Sequence, residues 1–268
     1  MVGPSDGRRR GVRLRRKRRT RAATMTMVEH LGELRSRLIR SAVAFLVISV
    51  AVFVAYEPIF DLFRRPLCDI DPKHLGPFGC RLQFSRAIGA FQFRLKMTAL
   101  VGIALSSPVW LYQLWAFVVP AMSKQERRYA RPFIAVSSSL FLVGAAFAYF
   151  VMPTGLGFLL TIGGDALVPL LDAEGYLSFV GFMVLGFGLM FEMPVAIFFA
   201  GLIGIVSLDQ LRSGRRTAIL VIVVLAAIVT PSQDPYTMIL LSIPLYVLYE
   251  ATILLLAWVL KRRGQTTV

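Results

Sequence analysis

Histidine, cysteine and acidic residues are scarce in this chain of 268 residues, which has two histidines, two cysteines and 15 acids. Both histidines, His30 and His74, lie outside the long apolar segments. Neither a Ser–His dyad nor a zinc site of the HExxH type can therefore form within a membrane. The sequence also has no glycine-rich phosphate loop and no cysteine-rich metal cluster. We expect no enzymatic activity, no metal and no cofactor.

Apolar residues, by contrast, make up 56% of the chain. The segments 97–123 and 132–164 contain no charged residue at all. A membrane span needs about 20 mostly apolar residues, so the chain holds several spans. Six spans fit the sequence, at 38–57, 95–118, 132–152, 176–201, 215–231 and 236–260. The sequence predicts an all-α integral membrane protein with six transmembrane helices, of which the fifth is short.

The formal net charge of +15 is unevenly distributed. Of 30 Lys and Arg residues, 23 lie in four segments, 1–40, 124–131, 212–216 and 261–263. These segments fall on the same side of the predicted spans, and short basic loops stay in the cytoplasm. We expect a multi-pass protein of the bacterial inner membrane with both termini in the cytoplasm. Basic and aromatic residues do not interleave on a folded platform, so we expect no nucleic-acid partner.

Residues 1–24 form a basic head with ten Lys or Arg and one acid. The head is either a disordered cytoplasmic tail near anionic lipid or a mis-assigned start, because Met25 and Met27 follow it. Glu29 and Glu33 precede the apolar run, which argues against a cleavable signal peptide. We therefore divide the chain into this head, a membrane domain at 25–263 and a short cytoplasmic tail at 264–268.

The only two cysteines, Cys68 and Cys80, lie in the predicted outer loop at 58–94. A disulfide can form and persist outside the cytoplasmic membrane. The alternative is a pair of free thiols. The same loop carries six basic residues, which makes it the exception to the charge asymmetry.

Two acids, Glu192 and Glu250, lie within predicted spans. A charge at the centre of a membrane helix costs roughly 2.5–3.5 kcal/mol, so a partner or a wet cavity is expected. Glu33 and Glu126 lie instead among basic residues at the ends of spans. They could bind arginines of a ligand, although spacing alone favours a local ion pair between Glu33 and Arg37.

Several strings, taken in order, carry a family resemblance. They are HLGELRSRL (30–38), SSPVWLYQLWAFVVPAM (106–122), KQERR (124–128), AFAYFVMP (146–153), GYLSFV (175–180), FEMPVAI (191–197) and TPSQDP (230–235). Their order and spacing resemble the TatC family along nearly the whole chain. The cysteine pair and the basic head are similar to those of actinobacterial members.

The resemblance implies a cup-shaped bundle that receives twin-arginine signal peptides of folded proteins and assembles TatA- and TatB-type single-span partners for export driven by the proton-motive force. It also implies a homo-oligomer in the active complex. By position it assigns signal-peptide binding to Glu33, Arg35, Phe117 and Glu126, intramembrane or partner contacts to Glu192, Thr230 and Asp234, and structural roles to Pro66 and Pro108.

Two other functions remain possible from the sequence. A proton-coupled secondary transporter could use Glu192 and Glu250 as a carboxylate relay. Such a transporter would be expected to show internal symmetry, which the sequence lacks. A membrane scaffold would need none of these acids for export.

Overall fold

The structure is a computed structural model that describes residues 27–118, 127–162, 164, 170–230 and 235–262. Within these ranges it is helical, with an isolated bridge between Gln83 and Asp172 as the only β-pairing. The basic head, the C-terminal tail, Glu126 and Asp234 lie outside the described residues. The α-helices are α1 (Met27–Val54), α2 (Tyr56–Cys68), α3 (Gly89–Leu105), α4 (Ser107–Val118), α5 (Arg127–Thr161), α6 (Ala173–Met190), α7 (Met193–Leu202), α8 (Leu208–Ser213), α9 (Arg215–Val229) and α10 (Pro235–Arg262).

The described helices include four that are long and apolar enough to cross a membrane, within α1, α5, α6–α7 and α10. A fifth span is counted if the bent pair α3 and α4 is taken as one crossing. Helix α9 has 15 residues, about 22 Å of helix against a hydrocarbon core of about 30 Å. An all-α membrane protein is confirmed, and the predicted fifth span is shorter than expected. The six-span arrangement stays a prediction.

Two predicted spans are interrupted by helix breaks. Helices α3 and α4 meet at Ser106, two residues before Pro108, with a bend of 53° between them. Helices α6 and α7 are separated by a turn at Phe191 and Glu192, and Pro194 follows in the first turn of α7. Proline has no N–H and its ring clashes with the carbonyl four residues earlier, which explains both positions. Pro108, for which the resemblance implies a structural role, thus lies next to a bend of the backbone.

Helix α2 is fastened to the bundle through two of its backbone carbonyls, one of which lacks a helical donor because of Pro66. Pro66 lies inside α2 and cannot donate to the carbonyl of Leu62. The hydroxyl of Tyr149 on α5 donates to that carbonyl instead, at 2.9 Å. The hydroxyl of Tyr176 on α6 donates to the neighbouring Phe63 carbonyl at 2.8 Å. A disulfide between Cys68 and Cys80 then joins the end of α2 to the loop that follows it.

The basic residues of this loop, which were the exception to the charge asymmetry, include two with specific partners, Arg94 and Arg64. Arg94 donates to the Phe53 carbonyl at the end of α1 at 2.9 Å, and its guanidinium lies 4.3 Å from the Phe53 ring centroid. Arg64 pairs with Asp61 at 3.0 Å. Because these charges are engaged locally, they contribute less to orientation than free loop charges would.

The central crossing of the bundle is that of α5 with α6, which pack against each other more extensively than any other pair of described helices. Glycine allows this close approach. A Cβ atom on Gly144 of α5 would lie 2.7 Å from the Phe187 carbonyl oxygen, and one on Gly188 of α6 would lie 2.8 Å from the Phe141 ring. Small residues that let backbones approach are typical of helix packing in membranes.

Candidate functional site

The first candidate site lies where the N-terminal part of α1 meets the C-terminal part of α4. Arg37 donates through Nε to Oε1 of Glu33 at 3.0 Å, and its Nη2 contacts the same oxygen. Its Nη1 donates to Oε1 of Gln113 on α4 at 3.4 Å. The ion pair between residues four apart, which spacing favoured, is present. It fixes Glu33 against α4 through a single arginine.

Only one oxygen of Glu33 is used in this way. Oε2 of Glu33 is buried and has no hydrogen-bond partner among the described residues. An unsatisfied buried carboxylate oxygen is unfavourable, and a guanidinium is well suited to satisfy it. Glu33 is therefore held in place by its own arginine while it retains the capacity to accept a second donor.

An aromatic pair joins the same two helices about one helical turn from Glu33 and Gln113. The ring of Phe117 on α4 stacks on the ring of His30 on α1, with centroids 4.2 Å apart and an angle of 17° between planes. Glu33 and Phe117 thus belong to two helices that are joined by these contacts, whereas Arg35 is exposed on α1, and the role of all three in signal-peptide binding stays a prediction. His30, Arg37 and Gln113 were not predicted as site residues. Only the spacing of Glu33 and Arg37 gave a signal for any of them.

The second candidate site surrounds Glu192, at the break between α6 and α7. Its Oε2 accepts a hydrogen bond of 2.5 Å from the hydroxyl of Ser137 on α5. The same hydroxyl accepts from Nε1 of Trp115 on α4 at 2.8 Å. The expectation that an acid within a span needs a polar partner is met by a neutral hydroxyl. Glu192 is not ion-paired among the described residues.

An open apolar cavity of about 850 Å³ lies on another side of α6. It is lined by α3, α6, α7 and α9, with Leu100, Gly181, Phe182 and Val229 among its residues. Glu192 does not line it, because its carboxyl is turned toward α4 and α5. An apolar helix could occupy this cavity without touching the Glu192 carboxyl.

The remaining predicted polar residues are placed as follows. Thr230 ends α9, fully buried, and its hydroxyl donates to the Ala226 carbonyl at 2.8 Å. Glu250 of α10 accepts from the guanidinium of Arg215 at the start of α9, at 2.8 Å and 3.0 Å. Tyr246 donates to the same carboxylate at 2.9 Å. The described residues contain no cluster of His, Cys, Asp and Glu that could hold a metal ion.

Comparison with known proteins agrees with this arrangement of helices. Residues 29–244 match the family model for the Sec-independent protein translocase protein (TatC). The chain belongs to the TatC family. The match begins within α1 and ends within α10, so it includes both candidate sites. The transporter hypothesis is not supported by this membership, and Glu250 is held by Arg215.

Individual members of the TatC family are similar over most of the chain. The Sec-independent protein translocase protein TatC of Frankia casuarinae is 43% identical, over 96% of this chain and 73% of its own length. That of Corynebacterium kroppenstedtii is 35% identical, over 90% of this chain and 64% of its own length. The chain therefore spans about two thirds to three quarters of these relatives.

A solved structure of the TatC family has the same fold. The crystal structure of the twin-arginine translocase receptor TatC in DDM superposes with a TM-score of 0.70 at 36% identity. The superposition covers 85% of this chain and 99% of the crystallised one. The fold and the family are thus established together.

Proposed function

We infer that this chain is the receptor subunit of a twin-arginine translocase, a binding and assembly protein with no catalytic step of its own. The observation that carries this inference is the match to TatC over 29–244 together with the likeness in fold to the solved receptor. The protein would work by recognising cargo and recruiting partners, with energy from the proton-motive force.

The proposed topology has six spans with both termini in the cytoplasm of a bacterial cell. Its support is the asymmetry of 23 basic residues and the local engagement of Arg64 and Arg94 in the loop on the other side. Helix α9 would be the short fifth crossing, and membranes thin locally around helices of this length. The basic head at 1–24 would be a cytoplasmic tail.

The proposed signal-peptide site is the rim formed by Glu33, Arg35, Phe117 and Glu126. One arginine of the twin-arginine motif would pair with the free oxygen of Glu33, and the other with Glu126. The geometry that supports this is the fixed Glu33 carboxylate about one helical turn from the stacked His30–Phe117 pair. A guanidinium presents five N–H donors in a rigid planar fork, which the compact ammonium group of a lysine cannot reproduce.

Partner binding is proposed for the second site and for the α9–α10 hairpin. TatA- and TatB-type single-span proteins would contact Glu192, Thr230 and Asp234, and several copies of the chain would assemble in the active complex. The apolar segment of the signal peptide would occupy the cavity between α3 and α6, which has the apolar lining that such a segment needs.

Photocross-linking from position 125 tests the recognition step. A photoreactive residue replaces Gln125, so that the neighbouring Glu126 keeps its charge, and membranes are mixed with a precursor carrying either Arg-Arg or Lys-Lys in its signal peptide. We expect cross-links to the Arg-Arg precursor and at least about tenfold fewer to the Lys-Lys precursor, the effect of losing a charge-assisted pair of 1.5–3 kcal/mol.

Two variants complete that experiment. Glu33→Gln keeps the size of the side chain and removes its charge, so cross-linking of the Arg-Arg precursor should fall. Glu57→Gln is the matched control, because Glu57 is exposed on α2 at the other end of α1. Export and cross-linking that survive the loss of both Glu33 and Glu126 charges would identify a scaffold instead of a receptor.

A further inference from the structure

Three side chains from three separate parts of the bundle form one hydrogen-bonded chain. Trp115 of α4 donates to Ser137 of α5, and Ser137 donates to Glu192 at the α6–α7 break. Their exposed fractions are 8%, 0% and 9%. Polar groups that are this buried are normally retained in fixed geometry by such bonds.

Chemistry fixes which group donates in each of these two hydrogen bonds. An indole N–H can only donate, so Ser137 must accept from Trp115. The single hydroxyl proton of Ser137 is then directed to Oε2 of Glu192. The indole itself is held by aromatic contacts, with the Phe133 centroid at 4.8 Å and the Phe199 centroid at 5.3 Å. The rigid aromatic cluster therefore determines where the carboxyl group points.

The hydrogen bonds from Trp115 to Ser137 and from Ser137 to Glu192 use only one oxygen of the Glu192 carboxyl. The other oxygen, Oε1, is buried and has no hydrogen-bond partner among the described residues. A buried acceptor without a donor is unfavourable, so a donor that reaches it is bound strongly. A guest would have to part the packed side chains around the α6–α7 break to do so.

We propose that Ser137 and Trp115 are positioning residues for Glu192. By holding Oε2 they leave Oε1 as the atom that receives a hydrogen-bond donor carried on the membrane helix of a TatA- or TatB-type partner. This inference rests on the proposed function. It goes further by naming the residues that orient the Glu192 carboxyl and by requiring a hydrogen-bond donor on the partner helix.

The aromatic and hydroxyl partners make the inference specific about residue type. A hydroxyl group is required at position 137. A side chain of similar volume without a hydroxyl is not sufficient. Ser137→Thr retains the hydroxyl, whereas Ser137→Val has nearly the same shape without it. Comparison of these two variants separates the hydrogen bond from packing. Ser139→Ala is the control on the same helix, because Ser139 is exposed and donates to the Ala135 carbonyl.

The functional test uses the full chain in membranes that also contain its single-span partners. A photoreactive residue replaces Val136, which is exposed on α5 next to Ser137 and does not line the cavity proposed for the signal peptide. Cross-links to the partner should fall about tenfold in Ser137→Ala, Ser137→Val and Glu192→Ala, the usual effect of losing one buried hydrogen bond. They should stay near the wild-type yield in Ser137→Thr and Ser139→Ala.

A spectroscopic test reports on the bond directly. The infrared difference spectrum between the purified chain and Glu192→Gln isolates the carboxyl band of Glu192. Ser137→Ala and Ser137→Val should shift that band, because the hydroxyl donor is gone, whereas Ser137→Thr should preserve its position.

Several results would overturn the inference. One is a normal cross-linking yield in Ser137→Ala and Ser137→Val while Glu192→Ala loses the partner. Another is an equal loss in the threonine and valine variants, which would show that packing alone matters. A loss of precursor cross-links while partner cross-links are unchanged would show that Glu192 binds the signal peptide instead of the partner. Failure of the receptor function is separate, since it would appear as absent precursor cross-linking from position 125.

Discussion

The close crossing of α5 and α6 gives a quantitative prediction for Gly144→Ala. The new methyl group would lie 2.7 Å from the Phe187 carbonyl oxygen and 2.8 Å from Cγ of Phe191. The first of these atoms belongs to the backbone and cannot rotate away. The helices must therefore separate by roughly 0.7 Å, and a gap of this size forfeits a quarter to a half of each dispersion contact across it.

Overpacking of this kind costs about 1–3 kcal/mol of folding stability. For a chain of this length the midpoint of thermal unfolding should fall by roughly 2–12 °C. Alanine also favours the helix over glycine by up to about 1 kcal/mol, which opposes the steric effect. Gly157→Ala on the same helix measures that opposing effect alone, because nothing lies within 4 Å of its new methyl group.

Thermal unfolding of the purified variants in detergent measures the difference. Gly157→Ala should unfold at or above the wild-type midpoint, and Gly144→Ala below it. Gly144 lies on the same helix as Ser137, so the Glu192 carboxyl band should shift in Gly144→Ala as well. Equal midpoints for the two glycine variants would refute the close backbone contact on which the packing argument depends.

Three further perturbations follow from the described contacts. Joint replacement of Cys68 and Cys80 by serine should lower stability by about 3 kcal/mol, the chain entropy of a loop closed over 12 residues, and reductant should then have no added effect on thermal unfolding. Glu250→Arg should make the α9–α10 hairpin more susceptible to proteolysis, and a second Arg215→Glu change should restore resistance. Tyr149→Phe should cost about 0.5–1.5 kcal/mol in thermal unfolding by freeing an α2 carbonyl.

Local features of the chain were predictable where a local rule applies. Pro108, to which the resemblance assigned a structural role, lies within two residues of an observed helix break. The ion pair of Glu33 with Arg37 follows from one helical turn of separation. The limits of the spans were less predictable. Helix α1 begins at Met27, well before the predicted start of the first span, because polar residues at a helix end can continue the helix outside the lipid.

The partners of the intramembrane acids were not predictable from the sequence. Ser137 is 55 residues from Glu192, and Arg215 is 35 residues from Glu250. Nothing in the local pattern around Ser137 distinguishes it from Ser138 and Ser139. Which of the three faces Glu192 depends on the rotation of α5 about its axis, and that rotation is set by contacts such as the one at Gly144.

The amino-acid sequence by itself determined that this protein is a bundle of membrane helices. Lipid offers no hydrogen bonds to the backbone, so long apolar runs must satisfy their own peptide groups as helices, whatever surrounds them. The tertiary structure alone decided where the carboxyl groups point and which of their oxygens are occupied. Those outcomes depend on how the helices rotate and cross, and close packing between distant residues, such as Gly144 and Phe187, fixes both.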